Sequence, residues 1–287
     1  MPRQAYVNGR YVPHRDAAVH IEDRGYQFAD GVYEVAPVVR GTLVDEAPHL
    51  DRLERSLREL RIDMPISRAA LKLISRELMR RNGLTNGFLY MQVTRGVAPR
   101  DHKFPKVSKP ALVMTTRQSK PQSAELLARG VAVITIPDQR WDRCDIKSIS
   151  LLPNVLGKQE AVEAEAQEAW MVDRDGMITE GTSTNAWIVT DDNRLVTRDT
   201  SNAILGGITR MSLLALVRAE GVAVEERPFS LEEVQNAREA FLTSSTNFVM
   251  PVTRIDGKPV GNGHPGLLTG KLREHYMGYV EDLKAAG

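Results

Sequence analysis

The sequence predicts an α+β fold in two domains, and three observations carry that expectation. The chain has 287 residues of which 42% are hydrophobic, enough for a large core and more than a single domain usually holds. Short strand-like runs broken by turn dipeptides are mixed with leucine repeats at helical spacing. The polar, proline-bearing stretch Arg117-Gln118-Ser119-Lys120-Pro121-Gln122-Ser123 separates two patterned halves. The predicted units are a small N-terminal α+β domain over residues 1–120 and a larger C-terminal α/β domain over 121–287, with Lys147 in the second.

Asn8-Gly9 tolerates the positive backbone angles of a tight turn, so Ala5 to Val12 reads as a hairpin. Gly31 to Val35 and Thr42 to Val44 form a second strand pair around Arg40-Gly41. Leu50, Leu53, Leu57 and Leu60 recur at helical spacing within His49 to Ile62, and Leu71, Ile74 and Leu78 do so after a Ser67 cap. Phe88 to Thr94 and Ala111 to Thr116 supply further strands. The second half opens with a helix ending at Gly130 and a strand over Val131 to Ile136. A helix is expected from Pro153 through Glu168, followed by hairpin strands Ala169 to Val172 and Met177 to Ile178 about Asp175-Gly176, then a strand over Asn185 to Val189. Thr209 to Glu220 reads as a helix stopped by Gly221, and a long helix runs from about Leu267 to Lys284.

Thirty-eight basic and 37 acidic residues leave a formal charge of +1, which removes the electrostatic footprint of a nucleic-acid binder and any reason to expect attachment to an anionic membrane. The amino terminus has no apolar core of signal-peptide length and no later run is long enough to span a bilayer, so a cytoplasmic location is the expectation. The single cysteine, Cys144, excludes an intrachain disulfide and a multi-cysteine metal site, and reads as a small buried apolar residue. Six histidines form no metal-ligand pattern. A small molecule is the expected partner.

Chemistry concentrates in a few runs. Lys147 is set among apolar residues just upstream of a helix, and a lysine in such surroundings loses solvation for its ammonium form, which frees the amine to attack a carbonyl. Glu180, between two strand-like runs and before the small hydroxylated residues Thr182-Ser183-Thr184, suits a counter-ion for a buried cation; the alternative is a solvated turn glutamate. Gly206-Gly207-Ile208-Thr209 places glycines and free amides at a helix start, a ready anion site, although a flexible loop with a cap fits the same residues. Thr243-Ser244-Ser245-Thr246 offers further hydroxyls. Arg52 lies on the polar face of its helix, where a surface ion pair is the bland reading and a phosphate contact the functional one. Arg100 and His102, two apart in a Gly/Pro-bearing loop, would point the same way and grip one carboxylate.

Glu22 to Val35, His49 to Leu53, Thr94 to His102, Cys144 to Gln159, Thr179 to Asn185, Leu205 to Arg210 and Phe241 to Thr246 occur in the order found in fold-type IV pyridoxal phosphate enzymes, and over nearly its full length the chain resembles their D-amino acid aminotransferase branch. The resemblance implies pyridoxal 5′-phosphate as cofactor, Lys147 as the Schiff-base lysine and proton carrier, and Glu180 as partner of the pyridinium. It implies a phosphate site from Arg52, the amides of Ile208 and Thr209, and Ser245, with Arg140 near the cofactor's phenolic edge. Tyr33, Arg100 and His102 match the family's trap for the substrate α-carboxylate, and that trap selects the D enantiomer because the proton moves on one fixed face of the cofactor. The implied reaction moves the amino group of D-alanine or D-glutamate to 2-oxoglutarate or pyruvate by ping-pong chemistry in a homodimer. An L-branched-chain aminotransferase shares the lysine, glutamate and phosphate motifs, and a non-catalytic protein that stores the cofactor would share the pocket. Ala29 departs from the glycine usual in the family before Asp-Gly.

Overall fold

The structure, a computed structural model, describes residues 3–285. The chain divides into two compact units, one comprising residues up to Pro121 with Ile146–Ser150, the other Gln122–Asp145 and the residues from Leu151 on.

In the first unit the strands are β1 (Gln4–Val7), β2 (Arg10–Pro13), β3 (Gly31–Val39), β4 (Thr42–Leu43), β5 (Gly87–Thr94) and β6 (Ala111–Gln118), joined in the order β2-β1-β6-β5-β3-β4 with every pairing antiparallel. Asn8 and Gly9 take φ of 47° and 97°, and Arg40 and Gly41 take 49° and 83°, so both expected hairpins turn through paired left-handed residues. The helices are α1 (Arg24–Phe28), α2 (Glu46–Glu59) and α3 (Arg68–Arg81); Ser67 caps α3 by accepting from Ala70 N at 3.2 Å. Leu50, Leu53 and Leu57 of α2 and Leu71 and Leu78 of α3 meet Val32, Leu89, Met91 and Met114 of the sheet in one buried core. The leucine spacing thus does what a three-to-four residue repeat must do, placing one stripe on a sheet face.

The sequence reading assigns Lys147 to the second half, whereas Ile146–Ser150 packs with the first unit. The cause is an open sheet edge. β4 covers β3 only at Val38 and Val39, which leaves the backbone near Val32 without a strand neighbour on that side. Residues 147–149 occupy it: Ser148 bridges Val32, Tyr33 N donates to Lys147 O at 3.0 Å, and Ile149 N donates to Gly31 O at 3.1 Å. Ile146 enters the same core as the helix leucines.

The second unit contains α4 (Ala124–Arg129), α5 (Leu152–Glu163), α6 (Ile208–Ala219), α7 (Leu231–Gln235) and α8 (Leu267–Ala285). Its strands are β7 (Val131–Pro137), β8 (Glu168–Val172), β9 (Met177–Gly181), β10 (Asn185–Val189), β11 (Leu195–Thr197), β12 (Val224–Glu226), β13 (Phe229–Ser230), β14 (Glu239–Ser244), β15 (Phe248–Ile255) and β16 (Lys258–Pro259). They form one sheet in the order β12-β11-β10-β14-β15-β7-β8-β9-β13, with β16 on β15, parallel at β12/β11, β15/β7 and β7/β8 and antiparallel elsewhere. Helix α5 ends at Glu163, five residues short of the expected Glu168. Every residue from Glu163 to Glu168 is a fair helix former, so propensity favours continuing. Instead Glu165 adopts φ of 56°, Gln167 N donates to Ala132 O at 2.8 Å, and Glu168 starts β8 opposite Val133. No helix among the described residues is long and apolar enough to cross a membrane.

Candidate active site

In the first unit the lysine segment and α2 are joined through β3. Lys147 is half-buried, its backbone N donates to Ser56 Oγ of α2 at 3.3 Å, and its Nζ lies 4.2 Å from the centre of the Tyr33 ring. Tyr33 stacks on Tyr90 with ring centres 5.8 Å apart and planes at 28°. Tyr90 gives its hydroxyl to Gln92 Oε1 at 2.6 Å, and burial pushes its phenol up to about 12. The lysine amine therefore faces one aromatic surface whose back is braced by a second, uncharged, phenol.

Arg52 is not the surface ion pair of the bland reading. Its Nε and Nη2 each donate at 2.8 Å to the two oxygens of Glu34, a fork-to-fork pair, and His49 Nδ1 lies 2.7 Å from the same carboxylate. Glu34 is fully buried and the Arg52 side chain is 10% exposed. Burial alone would raise the Glu34 carboxyl, but Arg52 and His49 outweigh it and hold it at about 2. Burial lowers His49 below its ordinary value despite Glu34, so at neutral pH the imidazole is uncharged and donates through Nδ1. Glu34 and His49 were missed in the sequence, though a signal was present: strand alternation puts Glu34 on the same face as Val32 and Ala36, both buried.

Arg100 and His102 are exposed and come together over one side chain, Phe28. The Arg100 guanidinium carbon lies 5.1 Å from the Phe28 ring centre and the His102 ring 5.4 Å from it.

In the second unit Glu180 lies in β9 and is buried, which rules out the solvated turn glutamate. Arg140 Nη1 donates to its Oε1, as does Leu205 N at 3.1 Å, while Asn185 Nδ2 donates to Oε2 at 3.0 Å. Arg140 also binds Asp138 through Nε at 3.0 Å and Nη2 at 2.7 Å, and donates to Ala203 O at 3.1 Å. Thr179 adds a hydroxyl to Asp138 at 2.7 Å. Burial would raise Asp138, but Arg140 prevails and keeps the carboxyl below its usual range; burial would lower Arg140, but Asp138 and Glu180 raise it. Asp138 and the guanidinium are thus charged together. Arg140, expected near a cofactor's phenolic edge, pairs with Glu180 and Asp138. Asp138 and Asn185 were not anticipated, although the Asp-x-Arg spacing at 138–140 that permits the local bonds is visible in the sequence.

Asn185 also donates to Leu205 O at 2.9 Å, tying Glu180 to the turn that opens α6. A Cβ on Gly207 would lie 2.0 Å from Asn185 Oδ1, so only glycine lets that turn close on the asparagine. Gly207 caps α6 without any side-chain bond, and Ile208 and Thr209 form its buried first turn. Asn185 pairs with Thr243 across β10 and β14, which brings the turn at Ser244, Ser245 and Thr246 to the same end of the sheet; Ser245 there is half-buried. Cys144 is buried, donates to Trp141 O at 3.1 Å and is pushed up to about 12 by burial, the behaviour of a packing residue.

The donors suit the predicted cofactor. A buried carboxylate complements a protonated ring nitrogen. An uncapped helix N-terminus with hydroxyls at the same sheet end complements a phosphate dianion.

Comparison with known proteins bears on the family. The model for "Amino-transferase class IV" matches residues 31–255. A D-alanine aminotransferase from Bacillus licheniformis is 46% identical over 263 residues, covering 91% of this chain and 92% of that protein. A D-alanine aminotransferase from Listeria monocytogenes serotype 4b (strain F2365) is 39% identical over 273 residues, 94% of each. Among solved structures, the branched-chain amino acid aminotransferase of Escherichia coli superposes with a TM-score of 0.89 at 24% identity, over 97% of this chain and 94% of that one. That of Thermobaculum terrenum in its PLP-form gives 0.84 at 22%, over 97% and 94%. At that identity the likeness is one of fold.

Proposed function

The chain belongs to the class IV aminotransferases, and on that premise we propose that it transfers the amino group of D-amino acids, D-alanine foremost, to 2-oxo acids such as 2-oxoglutarate, with pyridoxal 5′-phosphate as cofactor. The observation that carries the substrate class is the 46% identity to a D-alanine aminotransferase across 91% of the chain, against 24% to a branched-chain enzyme.

The cofactor, when bound, supplies an electron sink for charge at the substrate Cα. Lys147 would hold it and would take and return the proton at that carbon; the Tyr33 face keeps its amine from wandering. Glu180, hydrogen-bonded by Arg140 and Asn185, would hold the proton on the pyridine nitrogen. Arg52, oriented by Glu34, would bind the phosphate, as would the amides of Ile208 and Thr209 and the Ser245 hydroxyl. Arg140 acts through Glu180. Tyr33, Arg100 and His102 receive the α-carboxylate and so select the D enantiomer. The two half-reactions alternate on one site, which makes the kinetics ping-pong. The enzyme works in the cytoplasm as a homodimer; exposure of Arg100 and His102 supports a clamp offered to a second copy, and an active monomer in sedimentation would refute that part.

The test is the visible spectrum of the purified protein with D-alanine, L-alanine and L-leucine added separately. Yellow absorbance bleached by D-alanine alone is expected. Bleaching by L-leucine instead would install the branched-chain reading, and a colourless protein that pyridoxal phosphate does not reconstitute would overturn the assignment. Lys147→Ala should abolish turnover.

A further inference from the structure

We propose that Arg24 is a positioning residue for substrate recognition: it fixes the loop that carries Arg100 and His102, and so sets the grip on the α-carboxylate. The inference rests on the reading of Arg100 and His102 as that grip.

Arg24 opens α1 and is 3% exposed, an unusual place for a guanidinium in a segment of five helical residues. The helix start is itself anchored. Asp23 accepts from Gly25 N at 2.8 Å and from Thr94 Oγ1 at 2.9 Å, and Arg24 N donates to Gly96 O at 2.9 Å. From that base the guanidinium reaches two ways. Nε pairs with Asp30 Oδ2 at 2.8 Å, and Nη1 donates to the carbonyl of Asp101 at 2.5 Å, with longer approaches to His102 O at 3.4 Å and Lys103 O at 3.5 Å. Asp101 is the residue between the two clamp side chains, so holding its carbonyl sets the direction in which both neighbours leave the backbone.

Phe28, one helical turn beyond Arg24, completes the device. Arg24 lies 4.8 Å from the ring centre, Arg100 5.1 Å and His102 5.4 Å, so the ring is the floor on which the clamp rests. A second buried arginine pins the far end. Arg95 shares Asp30 through Nε at 2.8 Å, donates to Leu60 O at 2.8 Å and Arg61 O at 2.9 Å, and lies 3.7 Å from the centre of the Phe104 ring. Burial would raise Asp30, but hydrogen bonds and charge from Arg95 and Arg24 hold it below its usual range, so the pair of cations keeps its anion. Two desolvated arginines spent on holding one exposed loop are costly for a merely ornamental loop, and the residues they hold still are the ones proposed to bind substrate.

The holoenzyme tests this through Arg24→Met and Arg100→Ala, singly and together, with D-alanine and with D-alaninol, which lacks the carboxylate. Arg24→Met should raise KM for D-alanine roughly tenfold with kcat within about twofold, leave the reaction with D-alaninol within about twofold, and leave the cofactor's visible spectrum and affinity unchanged. On top of Arg100→Ala it should add less than about twofold, since both act on one contact. Equal slowing of D-alanine and D-alaninol, or a full tenfold added to Arg100→Ala, would overturn the proposal by showing a general structural role. If Arg100→Ala itself left KM unchanged, the clamp reading would fail and take the inference with it. Should Arg24→Met not fold, Phe28→Leu removes only the floor, and KM for D-alanine should rise about threefold; no rise would overturn the proposal.

Discussion

The two units each bury an arginine against a carboxylate, and they use the pair in opposite senses. In the first unit Glu34 is sealed off completely while Arg52 keeps 10% of its side chain exposed; the anion is the support and the cation is offered outward. In the second, Arg140 and Glu180 are each 7% exposed, and Arg140 has a second anion, Asp138, behind it. There the cation is the support and Glu180 is the group offered. The supporting member of each pair has further partners of its own, His49 for Glu34 and Asp138 for Arg140. A buried charge that must meet a ligand is thus held by a partner that is itself held, which fixes its direction before the ligand arrives.

This contrast is open to direct attack, and the largest effect should come from Glu34→Ala. It strips Arg52 and His49 of their shared acceptor, so a loss of about 3–5 kcal/mol in urea unfolding is expected, together with weaker cofactor binding. A loss below about 1 kcal/mol would break the comparison. Glu180→Gln should invert the pattern: Arg140 retains Asp138, so stability falls by only about 1–2 kcal/mol, whereas kcat falls at least ~10²-fold, equivalent to about 2.7 kcal/mol on the barrier. Steady-state rates and melting on the same preparations decide it.

The pH response sharpens the first half. His49 is held below its ordinary value of 6.5, so beneath that pH the unfolded chain takes up a proton that the folded chain does not, and stability falls as pH drops. Glu34, held at about 2 against an ordinary 4.5, contributes stability that is complete above 4.5 and lost as pH falls toward 2. Melting temperature should therefore decline from near pH 6.5 downward, and His49→Gln should flatten the upper part of that slope. A melting temperature independent of pH between 7 and 5 would contradict the uncharged imidazole.

The smallest effect concerns Ala29, which closes α1 with φ of 54° and ψ of 30°. A left-handed alanine costs about 1–2 kcal/mol, and glycine loses about 0.4–1 kcal/mol through the freedom of its unfolded chain, so Ala29→Gly should stabilise by about 0.5 kcal/mol. A drop in the urea midpoint would show that the methyl contributes packing instead.

Legibility followed periodicity and turn chemistry. The leucine stripes, the Asn8-Gly9 and Arg40-Gly41 hairpins, and the glycines before α6 were readable because each is a local signal with a local cause. The end of α5 was not, because pairing of Glu168 with Val133, distant in the chain, overrides uniform helix propensity. The side chains proposed to meet ligand carried chemical marks in the sequence; those that orient them did not. Glu34 and Asp138 are ordinary acids by type, and their roles arise from partners fixed by folding. Lys147 moved between units for a similar reason: an uncovered edge of β3 is a property of the sheet, not of the lysine's neighbours in sequence.

Helix α2 has one more consequence. His49, Arg52 and Ser56 follow at intervals of three and four, so one stripe of the helix meets Glu34 twice and the backbone of Lys147 once. The helix is a ruler, and its graduations are counted rather than spelled. Substitutions at the exposed Asp51, Arg58 or Glu59 leave the count alone. A single residue inserted between Arg52 and Ser56 would rotate everything beyond it by about 100° and advance it about 1.5 Å, uncoupling the arginine's setting from the lysine's. Changes of chain length in this part of the protein belong in the bend between Ile62 and Ser67, past the carbonyls of Leu60 and Arg61 that Arg95 holds.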